Sequence, residues 1–225
     1  LFEGTDIVGT LRPDLASELG LPSTVEVAAG AGDNAAAACG IGALKEGDGF
    51  VSLGTSGVLL AARDILAPQS ASAVHTFCHA VPQKWYQMGV ILAATDSLNW
   101  LSRTLKEDPA HLTQTLGTSL EAPGKVQFLP YLSGERTPHN DSAIRGALIG
   151  LDINTSQQDL TRAVLEGVSF ALRDNLEALN STGARLDSAI AIGGGSRSAY
   201  WLELNATALN LPLEIPEQGE FGAAL

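Results

Sequence analysis

The sequence predicts an α/β fold. Strand-like and helix-like runs alternate along the chain. Short apolar runs end in glycine-rich turns, and residues 157–179 carry a long helical hydrophobic pattern.

In chain order, Val25–Ala29 reads as a strand that runs into Gly30-Ala31-Gly32-Asp33. The alanine-rich run Asn34–Leu44 reads as a helix, weakened by Gly40 and Gly42. Phe50–Leu53 and Gly57–Ala62 read as two strands around a turn at Gly54-Thr55-Ser56, and Trp85–Ile91 as a third. Ser97–Leu105 follows as a helix with Asp96 as its N-cap. Val126–Tyr131 is strand-like, and the polar stretch Leu132–Asn140, which contains Pro138, is a loop. The best helix covers Gln157–Leu179, with Leu160, Val164, Val168, Leu172, Leu176 and Leu179 on one face and Ser156 and Asp159 forming a capping box. Arg173 and Glu177 sit one turn apart on its solvated side. Ala189–Ile192 is a strand, Ala199–Leu209 a helix and Leu213–Ile215 a strand; Gly222–Leu225 has the look of a helix beginning.

Composition narrows the function classes. With 225 residues and 45% apolar content, the chain can bury a substantial core. A net charge of −12 argues against a nucleic-acid partner, because phosphate contacts need a basic face. The two cysteines, Cys39 and Cys78, are expected as a buried, reduced pair in a cytoplasmic protein. No apolar run is long enough to span a membrane, and the start Leu1-Phe2-Glu3-Gly4 has neither Met nor signal-peptide features. A piece of a longer protein is the expectation.

Three turns carry the candidate chemistry. Asp33 stands at a strand-to-helix junction among residues with almost no side chain. That location suits a carboxylate that takes a proton from a substrate hydroxyl, and it equally suits a helix cap. In Leu53-Gly54-Thr55-Ser56-Gly57, glycine lets backbone N–H groups approach phosphate oxygens and the hydroxyls add donors. A plain hairpin turn has the same composition. Gly193-Gly194-Gly195-Ser196 lies between a strand and a helix, open to a nucleotide or serving only as a tight crossover. His75, His79, His111 and His139 have no metal-ligand spacing and read as structural or loop residues.

The three turns, in this order, resemble the C-terminal domain of the FGGY carbohydrate kinases, members of the sugar kinase, Hsp70 and actin superfamily. Gly146-Ala147-Leu148-Ile149-Gly150-Leu151, followed after seven residues by Asp159-Leu160-Thr161-Arg162-Ala163-Val164-Leu165-Glu166, resembles the second signature of that family. Ser72–His79, Phe128–Asn140 and the Asp33-Asn34 pair are similar to the branch that acts on D-xylulose.

The resemblance implies an actin-like (ribonuclease H-like) fold. It makes residues 1–225 a C-terminal nucleotide-binding domain, cut short at its C-terminal end, whose N-terminal lobe lies outside this chain. It implies ATP with Mg²⁺, and phosphorylation of D-xylulose at its 5-hydroxyl. Asp33 falls on the catalytic base and, through water, on the metal; Asp33 and Asn34 fall on the sugar. Gly54 and Thr55 fall on the phosphate turn, Gly193, Gly194, Gly195 and Ser196 on the adenosine turn, and Asn99 beside the nucleotide. The partners it implies are D-xylulose and the N-terminal lobe, with a homodimer compatible. By itself the chain is expected to bind nucleotide feebly.

The alternatives are a sibling kinase for glycerol, gluconate, ribulose or fuculose, and an actin-like scaffold that binds ATP without transferring phosphate. A dinucleotide-dependent oxidoreductase is disfavoured. Its fingerprint requires a glycine where Ala35 stands, and Asp33 would face the pyrophosphate.

Overall fold

In the computed structural model, which describes residues 1–69 and 71–216, the alternating apolar residues of the chain build one six-stranded sheet. The chain opens with a small antiparallel ribbon of β1 (Ile7–Thr10) and β2 (Glu26–Ala28), with helix α1 (Pro13–Glu18) between them. Helix α2 (Asp33–Gly40) leads into β3 (Gly49–Leu53), β4 (Gly57–Arg63), β5 (His75–Cys78) and β6 (Trp85–Ile91). Then come α3 (Thr95–Leu105), α4 (Pro109–Gln114) and a second ribbon, β7 (Gln127–Leu129) with β8 (Ala147–Ile149). The long α5 (Gln157–Ser181), β9 (Ala189–Ile192), a 3₁₀ turn at Gly194–Arg197, α6 (Ala199–Leu209) and β10 (Leu213–Glu214) complete the described residues. The helix expected at Gly222–Leu225 lies outside them.

The sheet order is β10-β9-β3-β4-β6-β5. β9 runs parallel to β3 and β10 parallel to β9, whereas β3, β4, β6 and β5 form antiparallel pairs. Because side chains alternate across a strand, neighbours enter different cores. Phe50, Leu60, Met88, Val90 and Ile192 pack with Ala35 and Ala38 of α2. Val51, Leu53, Leu59, Ala61 and Ile91 pack with Leu98 and Leu101 of α3, Val164, Val168 and Leu172 of α5, and Trp201 of α6. One helix therefore covers one face and three cover the other. No helix among the described residues is long and apolar enough to cross a membrane.

The Ser156/Asp159 capping box is present: Asp159 N–H donates to Ser156 Oγ (3.2 Å) and Ser156 N–H to Asp159 Oδ2 (2.8 Å). Asp96 is not an N-cap. Helix α3 starts earlier, at Thr95, because tertiary partners satisfy its first amides: Ala94 N–H donates to Thr55 O (2.9 Å) and Thr95 N–H to Gly54 O (2.9 Å). Both cysteines are exposed, contrary to the buried pair expected. Cys39 lies on the outward face of α2, next to the inward Ala38, and Cys78 ends the edge strand β5.

Loop 131–146 finishes an edge that β5 leaves open. β5 pairs with β6 only from Trp85 to Met88. Beyond that, Thr137 N–H donates to Val90 O (3.1 Å), Val90 N–H donates to Thr137 Oγ1 (3.1 Å), and Leu92 N–H donates to Glu135 Oε1 (3.0 Å). Two side chains thus do what a longer strand would do. Asn175 of α5 holds this stretch from behind, its Nδ2 donating to Thr137 O (3.2 Å).

Gly167 marks the tightest helix-to-ribbon contact. Glycine costs a helix about 1 kcal/mol relative to alanine, yet a Cβ there would lie 2.2 Å from Phe128 O. Gly167→Ala is expected to lower stability by about 1–3 kcal/mol through overpacking, read by denaturant unfolding; equal stability would mean that β7 moves aside at little cost.

Burial pushes the Glu135 carboxyl up from its ordinary 4.5 to about 6, although the Arg136 and Leu92 amides and the Arg136 charge favour the ionised form. Folding therefore favours the protonated acid. Its stabilising contribution is complete below about pH 4.5 and is lost as pH rises towards 6. Glu135→Gln should melt progressively higher than the parent as pH rises through that window, with a constant difference above it; a difference independent of pH would contradict the assignment.

Candidate functional site

Parallel pairing of β3 with β9 puts the C-terminal ends of both strands at one edge of the sheet, so the two glycine-rich turns that follow them meet. Gly193 has φ +89°, the left-handed region that favours glycine. A Cβ there would lie 2.9 Å from Leu53 C and O, and one on Gly195 2.7 Å from Leu53 Cβ. Both glycines are thus required by close approach of the β9–α6 turn to the end of β3. Gly194 differs: a Cβ there would meet nothing within 4 Å, so its outer face is open.

The carbonyls of Gly54 and Thr55 point into α3, where they accept from Thr95 and Ala94, and Thr95 Oγ1 also donates to Gly54 O (2.8 Å). In a planar trans peptide the N–H points opposite to its carbonyl. The Thr55 and Ser56 amides therefore point away from α3.

A cavity of about 500 Å³ lies against the β9–α6 turn. Gly194, Gly195 and Ser198 form one wall, Thr95 and Asn99 of α3 another, and Ala110, Thr113 and Gln114 of α4 a third. Its size and its mixed apolar and polar lining suit a nucleoside-sized ligand. Sequence reasoning missed α4, although Asp108-Pro109 is a helix-start signal. Asp108 caps that helix, accepting from Ala110 N–H (2.9 Å) and His111 N–H (3.1 Å).

The site residues expected from sequence divide into groups. Gly194, Gly195 and Asn99 line the cavity, whereas Gly54 and Thr55 do not; they bond to the start of α3, where Thr95 is a lining residue. Gly193 is a spacer packed on Leu53. Ser196 turns its hydroxyl inward, donating to Gly193 O (2.6 Å), and Ser198 takes the lining position.

Asp33 and Asn34 do not line this cavity; they begin α2 on the other face of the sheet. Asp33 is exposed in the first turn of the helix. Its Oδ1 accepts from Asn34 N–H (2.7 Å) and Asn34 Nδ2 (3.1 Å), and Gly32, not Asp33, is the N-cap. The carboxylate is close enough to Tyr86 to raise the phenol's pKa, second to burial as a cause.

Each histidine has a structural setting. His79 is buried: Nε2 donates to Ala43 O (3.2 Å) and Nδ1 accepts from Val81 N–H (3.1 Å), which fixes the neutral tautomer, while burial lowers its pKa. It ties the end of α2 to the β5–β6 turn. His75 stacks on Phe77 (5.8 Å), His139 Nε2 bonds Tyr131 Oη (3.0 Å), and His111 faces Glu107 (3.2 Å). No group of three or more His, Cys, Asp or Glu side chains that could hold a metal occurs among the described residues.

A model of the FGGY family of carbohydrate kinases, C-terminal domain, matches residues 49–225. The chain is 42% identical to the xylulose kinase of Escherichia coli (strain K12), covering 100% of this chain and 46% of that protein. Its identity to the xylulose kinase of Bacillus subtilis (strain 168) is 37%, with the same coverage of 100% and 46%. Among solved structures, the xyloylose kinase of Brucella ovis superposes with a TM-score of 0.95 at 57% identity, over 100% of this chain and 46% of that one. The chain thus spans about half the length of the relatives it matches. Plasmodium falciparum glycerol kinase with ADP, 21% identical and covering 99% of this chain and 45% of that one, shares the fold at a TM-score of 0.86. The family model matches well over half of the chain, and the chain therefore belongs to the FGGY family of carbohydrate kinases.

Proposed function

We propose that this chain is the nucleotide-binding and base-bearing half of an ATP-dependent kinase that phosphorylates D-xylulose at its 5-hydroxyl. The observation that carries the nucleotide assignment is the cavity walled by Gly194, Gly195 and Asn99, whose lining residue Thr95 is bonded to the Gly54–Thr55 turn. The choice of sugar rests on the relatives named xylulose kinase at 42% and 37% identity. Residues 1–48, outside the family match, belong to the same lobe in this reading, because α2 packs into the core of the sheet. The cytoplasm is the compartment such a substrate implies.

The chemistry follows from the residues. Adenosine rests against Gly194, where bare backbone leaves room, with Asn99 offering a polar side chain from α3. The Thr55 and Ser56 amides, aimed away from α3, donate to phosphate oxygens and stabilise the charge that builds there during transfer. Asp33 accepts the proton of the attacking hydroxyl. Its exposed position at the start of α2 suits a base that a sugar approaches from a facing lobe, and Asn34 holds one carboxylate oxygen in place. The small residues of Gly30-Ala31-Gly32 leave space for the sugar. Bound ATP with Mg²⁺ supplies the phosphoryl group; a magnesium ion needs few protein ligands beside phosphates and water, and Asp33 would hold it through water.

Full-length protein tests the reading by ADP release with D-xylulose, glycerol, gluconate, L-ribulose and L-fuculose in parallel. Turnover is expected on D-xylulose, with Asp33→Ala lowering kcat by about 10²–10⁴-fold. Preference for another polyol would move the specificity, and full activity in Asp33→Ala would remove the base. Gly194→Ala should leave stability unchanged, because its Cβ meets no protein atom within 4 Å, yet raise KM for ATP. An unchanged KM would place the nucleotide elsewhere.

A further inference from the structure

We propose that Glu135 is a positioning residue for the nucleotide cavity, acting through the backbone of Leu92 on the junction between β6 and α3. The inference rests on the nucleotide reading of that cavity.

Glu135 is 3% exposed, far too buried for an ordinary loop carboxylate. Its main chain is fixed by reciprocal bonds with Asp141, Glu135 N–H to Asp141 O (2.8 Å) and Asp141 N–H to Glu135 O (2.9 Å). Its Oε1 accepts from Leu92 N–H (3.0 Å) and Arg136 N–H (2.7 Å), while Oε2 is buried with no hydrogen-bond partner. Burying a carboxylate that half-satisfied is costly, so packing alone does not account for an acid at this position.

What the acid does is hold the second of two amides that β5 does not reach, Val90 N–H being held by Thr137 Oγ1. β5 stops pairing at Met88, and Leu92 lies past the end of β6. Two residues further on, Ala94 N–H bonds Thr55 O (2.9 Å), and Thr95 N–H and Oγ1 bond Gly54 O (2.9 and 2.8 Å). One turn later α3 presents Asn99 to the cavity. Glu135 therefore sets where the chain leaves the sheet, and that departure sets both the Gly54–Thr55 turn and the α3 wall. Asp33 lies on the opposite face of the sheet and makes none of these hydrogen bonds.

Full-length protein carrying Glu135→Ala, Glu135→Asp or Glu135→Gln tests the proposal in two independent arms. The first is amide hydrogen exchange of a peptide spanning residues 90–96. Loss of the acceptor in Glu135→Ala, or its withdrawal by one methylene in Glu135→Asp, should speed exchange at Leu92–Thr95. Glu135→Gln, whose amide oxygen still accepts, should match the parent. The second arm is steady-state kinetics, in which the Ala and Asp variants should raise KM for ATP about tenfold, as expected for a lost buried hydrogen bond, with KM for the sugar unchanged and Gln restoring the parent value.

A merely structural glutamate would move both KM values together or neither, and Gln would not rescue selectively. Unchanged exchange at residues 92–95 in a folded Ala or Asp variant overturns the proposal, as does a parallel rise in both KM values. If the parent shows no ATP-dependent turnover, the functional reading fails, while the exchange arm still decides whether Glu135 holds the junction.

Discussion

The fold and the candidate site both depend on the parallel pairing of β3 with β9. Phe50, Val51 and Ser52 align with Ile190, Ala191 and Ile192, strands far apart in sequence. That register brings the β9–α6 turn onto the backbone of Leu53, an approach that only residues without side chains permit at Gly193 and Gly195. The carbonyls of the neighbouring turn then serve as the cap of α3. The β9–α6 turn, the Gly54–Thr55 turn and the start of α3 are thus fixed by backbone contacts, whose geometry is far stiffer than that of side chains. Preorganisation of this kind lets donors stabilise developing charge without moving.

The two faces of the sheet have different duties. The α3, α5 and α6 face carries the larger core and the nucleoside-sized cavity, while the α2 face carries Asp33 at a helix start. The carboxylate and the cavity thus lie on opposite faces of the sheet, and Asp33 is not among the residues lining the cavity. In the kinase reading, the phosphate end of the nucleotide reaches past the Gly54–Thr55 turn towards a sugar held between Asp33 and a facing lobe. The buried, neutral His79 and the loop bearing Glu135 and Thr137 stand behind these elements as supports.

Much of this was legible in the sequence, for identifiable reasons. β6, β9 and α6 match the expected boundaries because apolar patterning and glycine punctuation agree there, and the Ser156/Asp159 box marks the start of α5. Val25–Ala29 reads as the strand that forms β2, whereas β1 and α1 were missed: β1 is exposed throughout, so no buried face imposes a period on it. α3 begins before Asp96 because its cap is supplied from a distant turn, which local sequence cannot reveal. The exposed cysteines show the same limit, since which face of α2 meets the sheet depends on its neighbours. In the candidate site, the glycine turns were readable, whereas the inward turn of Ser196, the contribution of α4 and the burial of Glu135 are tertiary facts.

The most direct measurement of the central claim is a structure of the full-length protein with a non-hydrolysable ATP analogue. The account predicts the adenosine in the cavity against Gly194 and Gly195, with the phosphates directed to the Thr55 and Ser56 amides. A nucleotide bound away from these two turns, or a cavity left empty at saturating analogue, would contradict it.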